Sequence, residues 1–344
     1  MNLPRYLFYA LLAGLVLLPF LPVSDYHLHI VVQILLLGFI YTSWSIMGRF
    51  GLVSLGHGAF MGIGAYVVVL LWNLYGLTPW VGMAVAVALS VIVAAVIGYP
   101  CFRMRIVGHY FALVTLALSE VVRLVIIALR DVTGGSLGVT PLRHGTGTSL
   151  YAFQFADKEA FYAVALLVWL AGLWVWLRVD RSMARPAMQA ISEDEDAAAA
   201  IGIHVTAQKL KITMLSAALT ALGGALYAQY QMYINPNTVS GIGISLQIVF
   251  AVIAGGMFVA LGPTVGAIFT IMLAESLRVA IGTGVVGLDT TIYGLLLILF
   301  IIFMPQGILG AALDWYHGRA GAPARPAAEA PGGRADDKGR QTVA

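Results

Sequence analysis

Ten stretches of mostly apolar residues, each near the length of one membrane crossing, run through this chain. They fall at about 6–23, 28–47, 54–73, 80–98, 109–129, 160–178, 212–232, 244–260, 264–281 and 290–304. A helix needs about 20 such residues to cross the hydrocarbon core. Hydrophobic residues make up 60% of the chain and charged residues 10%, which excludes an ordinary soluble domain. The expected fold is therefore all-α and polytopic, with about ten transmembrane helices. The first stretch follows Arg5, as a signal peptide would, but no small-residue cleavage site comes after it. It reads as a retained span. The stretches 244–260 and 264–281 are joined only by Leu261-Gly262-Pro263, so one of them can also be read as re-entrant or broken.

Basic residues set the orientation. With the N-terminus inside and ten crossings, fourteen of the nineteen Lys and Arg residues fall on the inner side, among them Arg49, Arg103, Arg105, Arg178, Arg181, Arg185, Lys209 and Lys211. Three (Arg130, Arg143 and Lys158) fall outside, and Arg123 and Arg278 lie within spans. Both termini are expected in the cytoplasm. The net charge of +3 reports this topology and gives no sign of nucleic-acid binding. Residues 318–344 are rich in Pro, Ala, Gly and charge, the composition of a disordered tail.

Between the sixth and seventh stretches lies a long, charge-dense loop, Asp180–Lys211. Arg181 and Arg185 lead into an acidic run, Glu193-Asp194-Glu195-Asp196, which is followed by four alanines and Gly202. Ser192 and Glu195 have capping-box spacing, which predicts a short helix starting there. Alanine propagates such a helix and Gly202 can end it. Ala197 and Ala198 would then offer a flat face to a soluble partner.

The third stretch opens SLGHGAFMGIGAY, and Ser54, Gly58 and Gly62 recur every four residues as one small-residue stripe. Such a stripe lets a neighbouring helix come close. His57 is its polar exception. Either the segment is close packing around a hydrogen-bonded His, or it lines a translocation path. Ser216, Thr220 and Gly224 repeat the device in the seventh stretch, where packing is the simpler reading. Further on, Gly255, Gly256, Gly262, Pro263 and Gly266 crowd one segment. Pro263 has no N–H to continue a helix, so the segment is either a break beside a pathway or a hairpin between spans.

Two charge pairs fall inside apolar stretches: Glu120 with Arg123, and Glu275 with Arg278. Each is spaced i, i+3, so both members share a helix face and can neutralise one another. A lone charge at that depth costs at least about 2.5–3.5 kcal/mol. Pairing for structure is one reading; contact with substrate or a coupling ion is the other. The outer loop 130–158 contains Thr133-Gly134-Gly135-Ser136-Leu137-Gly138 and reads as a turn-rich connector or a docking surface. Cys101 is the single cysteine and reads as a packed residue. No Gly-Lys dipeptide occurs, so the chain has no P-loop and is not itself a Walker-type ATPase. No clustered Cys and His ligands suggest a metal.

Four ordered segments carry a family resemblance: GLVSLGHGAFMGIGAY (51–66), GHYFALVTLALSEVVRL with TGGSLG after it (108–138), AISEDEDAAAAIGI with KLKITMLSAALTALGGALYA (190–228), and VIAGGMFVALGPTVGA (252–267). Together they resemble the branched-chain amino-acid ABC permease family, and within it the M-type branch. Asp196-Ala197-Ala198 with Gly202 also has the E-A-A-x-x-x-G spacing of ABC importer permeases. The likeness covers roughly 30–310. It departs at Ser192, where relatives often carry Arg, at Asp196, where this branch often has an aliphatic residue, and at Phe258, where Gly is common.

The resemblance implies a multi-pass permease subunit in a bacterial inner membrane, with a transmembrane domain over 1–312 and a tail over 313–344. Loop 180–211 would seat a coupling helix in an ATPase, with Ser192, Glu195, Asp196, Ala197, Ala198 and Gly202 at the contact. Phe258 would narrow the path beside Gly255, Gly256, Gly262 and Pro263. The implied partners are a second, H-type permease, two cytoplasmic ATPases that bind the ATP, and a periplasmic solute-binding protein. The chain itself would hold no cofactor and perform no catalysis. Leucine, isoleucine or valine is the implied cargo, with urea, short amides or small organic acids as alternatives. An ion-coupled secondary transporter using Glu120 or Glu275 is a separate reading, and a scaffold without transport is a third.

Overall fold

The computed structural model describes residues 13–20, 24–145 and 147–281, with short pieces at 291–292, 294–295, 299 and 307–311. The long elements are α1 (Asp25–Gly48), α2 (His57–Tyr75), α3 (Pro79–Arg103), α4 (Gly108–Ala128) and α5 (Lys158–Asp180). Two short helices follow, α6 (Ala184–Glu193) and α7 (Glu195–Ala200), then α8 (Val205–Gln231), α9 (Gly241–Gly255) and α10 (Gly262–Ile281). Among the described residues the extended pairing is limited to two isolated bridges, Val139 with Ile234 and Ser149 with Gln154. Among the described residues seven helices are long and apolar enough to cross a membrane: α1 to α5, α8, and the run Pro236–Gly255 that ends in α9. The expected spans at 6–23 and 290–304 lie largely outside the described residues, and the tail 313–344 wholly so.

Helix ends follow local chemistry. Gly76 takes φ +65° after α2, and its N–H and that of Leu77 bond back to Trp72 and Leu71. Pro79 then opens α3 at a position where a missing N–H costs nothing. The span expected at 54–73 becomes helical only at His57, so Ser54 is not on the helical stripe. Residues 51–56 are unwound, with the Ser54 carbonyl accepting from the Trp44 indole at 2.8 Å. Helix α8 starts seven residues before the expected 212. The chain also breaks earlier than Gly262-Pro263 suggested: Gly256, at φ +108°, ends α9. Pro263 sits in the first turn of α10, so the segment is a hairpin.

The core forms where α8 packs against α1, α2 and α3, and where α5 and α10 close over α1. Trp44, Trp169, Tyr41 and Tyr162 are its largest buried side chains. Without a hydrophobic drive between helices in lipid, close backbone approach supplies the contact. A Cβ on Gly64 would strike the Ala221 backbone, and one on Gly224 the Met61 backbone. The Ser216–Gly224 stripe is thus a packing seam between α8 and α2.

Candidate functional site

At one end of the bundle, α6 and α7 lie over a second buried cluster. Met188 and Ile191 from α6 and Ala198 from α7 meet Ile46, Phe102, Phe111, Trp176 and Ile212, so side chains of α1, α3, α4, α5 and α8 all converge beneath them. Ala198 is 2% exposed. It anchors the helix and does not belong to an open face. Asp196, Ala197, Ala199 and Ala200 are the exposed residues of α7, and Ile201 beyond them is 75% exposed.

The capping box does not form. Ser192 lies inside α6, its hydroxyl donating to the Gln189 carbonyl at 2.8 Å. Asp194 is the N-cap of α7, accepting from the Asp196 and Ala197 amides at 2.8 and 3.0 Å. It stands one residue before the helix and carries a full charge, so it prevails over the more distant hydroxyl. Glu195 instead pairs with Lys209, whose side chain is 4% exposed. At the other end Gly202 takes φ +90°. Its N–H bonds to Ala199 O and that of Ile203 to Ala198 O, a Schellman motif that needs a residue tolerant of positive φ.

Further ion pairs fix this end. Asp180 at the end of α5 accepts from Arg49 at 3.1 Å and Arg185 at 3.0 Å. The Arg49 guanidinium lies 4.0 Å over Trp176. Burial lowers its pKa to about 10, with Asp180 opposing the shift, so it stays charged at neutral pH. Asp196 meets Arg105 at 2.8 Å.

Deeper in the bundle, His57 is fully buried, with Nε2 2.8 Å from the Ser216 hydroxyl. Ser216 gives its own proton to the Ser43 carbonyl, which leaves His57 Nε2–H as the donor. Gly58 and Gly62 bring α2 against residues 240–245: the Gly58 N–H donates to Ser245 at 3.0 Å, and a Cβ on Gly62 would strike Ser240. Gly255, Gly262 and Gly266 bring α9 and α10 into backbone contact. Phe258 stands 65% exposed in the turn between them.

Glu120 and Arg123 do pair on α4, with Nε to Oε1 at 2.9 Å. Arg123 also reaches Asn237 at 3.2 Å. The pair thereby ties α4 to the run Pro236–Gly255. Glu275 accepts from the Tyr26 hydroxyl at 2.7 Å. The Arg278 side chain lies outside what is described.

The opposite end is closed by the loop after α4. Trp72 and Trp80 indoles donate to Leu142 and Leu150 carbonyls at 2.7 and 2.8 Å. The Asn73 amide exchanges two bonds with Thr140 and Leu142. Gly134-Gly135-Ser136-Leu137-Gly138 also matches the spacing of a nucleophile elbow. It occupies a 3-10 turn, however, without the strand-to-helix corner that chemistry needs.

Residues 26–304 match the protein family described as the branched-chain amino acid transport system permease component. A high-affinity branched-chain amino acid permease protein LivM from Salmonella typhimurium is 29% identical over 289 residues, covering 77% of this chain and 65% of the relative. LivM from Escherichia coli is 30% identical with the same coverage. A probable LivH permease from Methanocaldococcus jannaschii is 25% identical over 270 residues, 76% of this chain and 84% of the relative. The chain thus spans just under two thirds of the length of the LivM relatives. No solved structure matches it. The match, lying over all seven apolar helices, makes this chain a multi-pass membrane protein of the branched-chain amino acid transport permease family.

Proposed function

We propose that the chain is a permease subunit of an ATP-driven importer for leucine, isoleucine or valine. In this reading it forms the translocation path with a second, H-type permease, in a bacterial inner membrane. One of two ATPases would dock on α6 and α7, and a solute-binding protein on the opposite end. The observation that carries it is the seating of α6 and α7: the exposed side of α7 faces away from the bundle, while Met188, Ile191 and Ala198 belong to a buried cluster fed by five spanning helices. A push on α6 and α7 would act on that shared cluster. Family membership supports the cargo and the second permease.

Orientation follows from charge. The α6–α7 end gathers Arg49, Arg103, Arg105, Arg178, Arg181, Arg185, Lys209 and Lys211, against Arg130, Arg143 and Lys158 at the other. The first end is cytoplasmic in this reading. Ten crossings, with both termini inside, would add 6–23, 264–281 and 290–304 to the seven apolar helices. Ser54, His57, Gly58 and Gly62 then belong to the packed wall of the path, and Glu120–Arg123 to its framework. Residues 1–312 would form the permease domain and 313–344 a cytoplasmic tail.

Reconstitution with the partner subunits tests this directly. ATP-dependent accumulation of leucine, isoleucine or valine in proteoliposomes is the expected result. Uptake driven by a proton gradient without ATP, or accumulation of urea in preference to leucine, would contradict it.

A further inference from the structure

At the end of the bundle away from α6 and α7 lies a pocket of about 310 Å³, bounded by the starts of α1 and α5, the end of α8 and the loop before α5. Phe155 and Phe161 give it an apolar wall, and Arg143, Asp157, Lys158 and Gln229 a polar one. Gln229 is 2% exposed, yet neither its Nε2 nor its Oε1 has a hydrogen-bond partner. A buried amide unmet at both ends is rare and costly. The nearby polar groups are engaged elsewhere. His29 bonds to Tyr230 at 2.6 Å and Gln33 at 3.1 Å, and Gln154 holds the loop through Leu142 and His144.

The charges around Gln229 are also underused. Asp157 is the N-cap of α5, but its carboxylate accepts no bond from the first-turn amides. Among the described residues Arg143 joins none of the ion pairs, and Lys158 is held by Asp25 alone, 3.6 Å from its carboxylate and 3.4 Å from its backbone carbonyl. The pocket therefore offers an orphan donor beside an orphan acceptor, two cations, a carboxylate and an aromatic wall.

We propose that this pocket binds the zwitterionic head of an aliphatic α-amino acid. The ligand carboxylate meets Arg143, Lys158 and the Gln229 N–H, its ammonium meets Asp157 and the Gln229 Oε1, and its side chain lies against Phe155 and Phe161. The volume is near the lower limit for small-molecule pockets and suits a single amino acid. The choice of ligand rests on the permease reading above, and places the site where cargo waits before entering the bundle.

The test is equilibrium binding of tritiated L-leucine to the full chain in lipid nanodiscs. Leucine should bind saturably and be displaced by valine. L-Leucinamide, without a carboxylate, and 4-methylpentanoate, without an ammonium, should each compete about tenfold less well or worse. Arg143→Gln, at an exposed position, and Gln229→Leu, similar in volume, should each weaken leucine about tenfold. No saturable binding to the unmodified chain would overturn the proposal, as would unchanged affinity in both variants. Leucinamide binding as tightly as leucine would do the same and leave the pocket to water. The permease reading fails separately. An importer that transports leucine although the chain alone binds none removes only the pocket. Binding by a chain that recruits no ATPase removes the importer and keeps the pocket.

Discussion

At the α6–α7 end, the buried cations Arg49 and Lys209 each face a carboxylate, and the short helices rest on a cluster fed by five others. At the opposite end, Gln229 is buried with both polar atoms unmet, and Arg143 and Asp157 flank a pocket. The first arrangement suits transmission of force, because matched charges and tight packing leave the short helices little freedom of their own. The second suits reception of a solute, because its polar groups are held ready for a partner the chain does not supply. In the proposed importer the two ends would serve different tasks, and substitutions should separate them.

The largest expected effect falls on the buried ion pair. Glu195→Gln leaves Lys209 charged and nearly enclosed, a loss of about 3–5 kcal/mol for breaking a buried pair. Protein level and thermal stability in detergent should both fall, while Glu195→Ala combined with Lys209→Met should recover part of the loss. If Glu195→Gln melts like the unmodified chain, the pair does not hold α7 down.

Ala198→Trp comes next. It forces a large ring beneath α7, where overpacking costs about 1–3 kcal/mol. The measured consequence should be faster proteolysis of loop 180–211, with the pocket end unaffected. Gly202→Val is smaller, about 1–2 kcal/mol, because it meets no neighbour and only resists φ +90°. Hydrogen exchange should rise at the amides of residues 202 and 203, which close that turn by donating to Ala199 and Ala198. Smallest of all should be Glu120→Gln: the pair is about a quarter exposed, and Asn237 still holds Arg123. It should lower assembly modestly and leave any pH dependence of uptake unchanged. Normal assembly with lost proton dependence would instead give Glu120 a coupling role.

Much of the fold was legible because apolar length is a local property. Five of the expected spans sit within a few residues of α1, α3, α4, α5 and α10. Errors came where composition and backbone disagree. Gly51–Gly56 continues an apolar pattern but is unwound. The start of α8 was missed because Lys209 and Lys211 look like loop, although Lys209 is buried by its pairing with Glu195. At the candidate site, Gly202 was readable from its place after four alanines. The facing of Ala198 was not, because a run of identical residues carries no periodicity. Ser192 had the right spacing for a cap, and only the nearness of Asp194 to the helix could have argued against it. Arg49 with Asp180, and the open amide of Gln229, depend on contacts between residues far apart in sequence. Nothing local announces them.

In the proposed importer α7 is the element through which an ATPase acts, and Ala197 tests that most directly. Its side chain is exposed and one residue from the buried anchor, so Ala197→Trp alters the outward face without disturbing the seat. The measurement is ATPase activity of the reconstituted complex, with and without loaded binding protein. The expected result is normal insertion and an unchanged melting temperature, with stimulation by the binding protein reduced to near the basal rate. Full stimulation in Ala197→Trp would contradict the account, because the face assigned to the ATPase would then have no part in coupling.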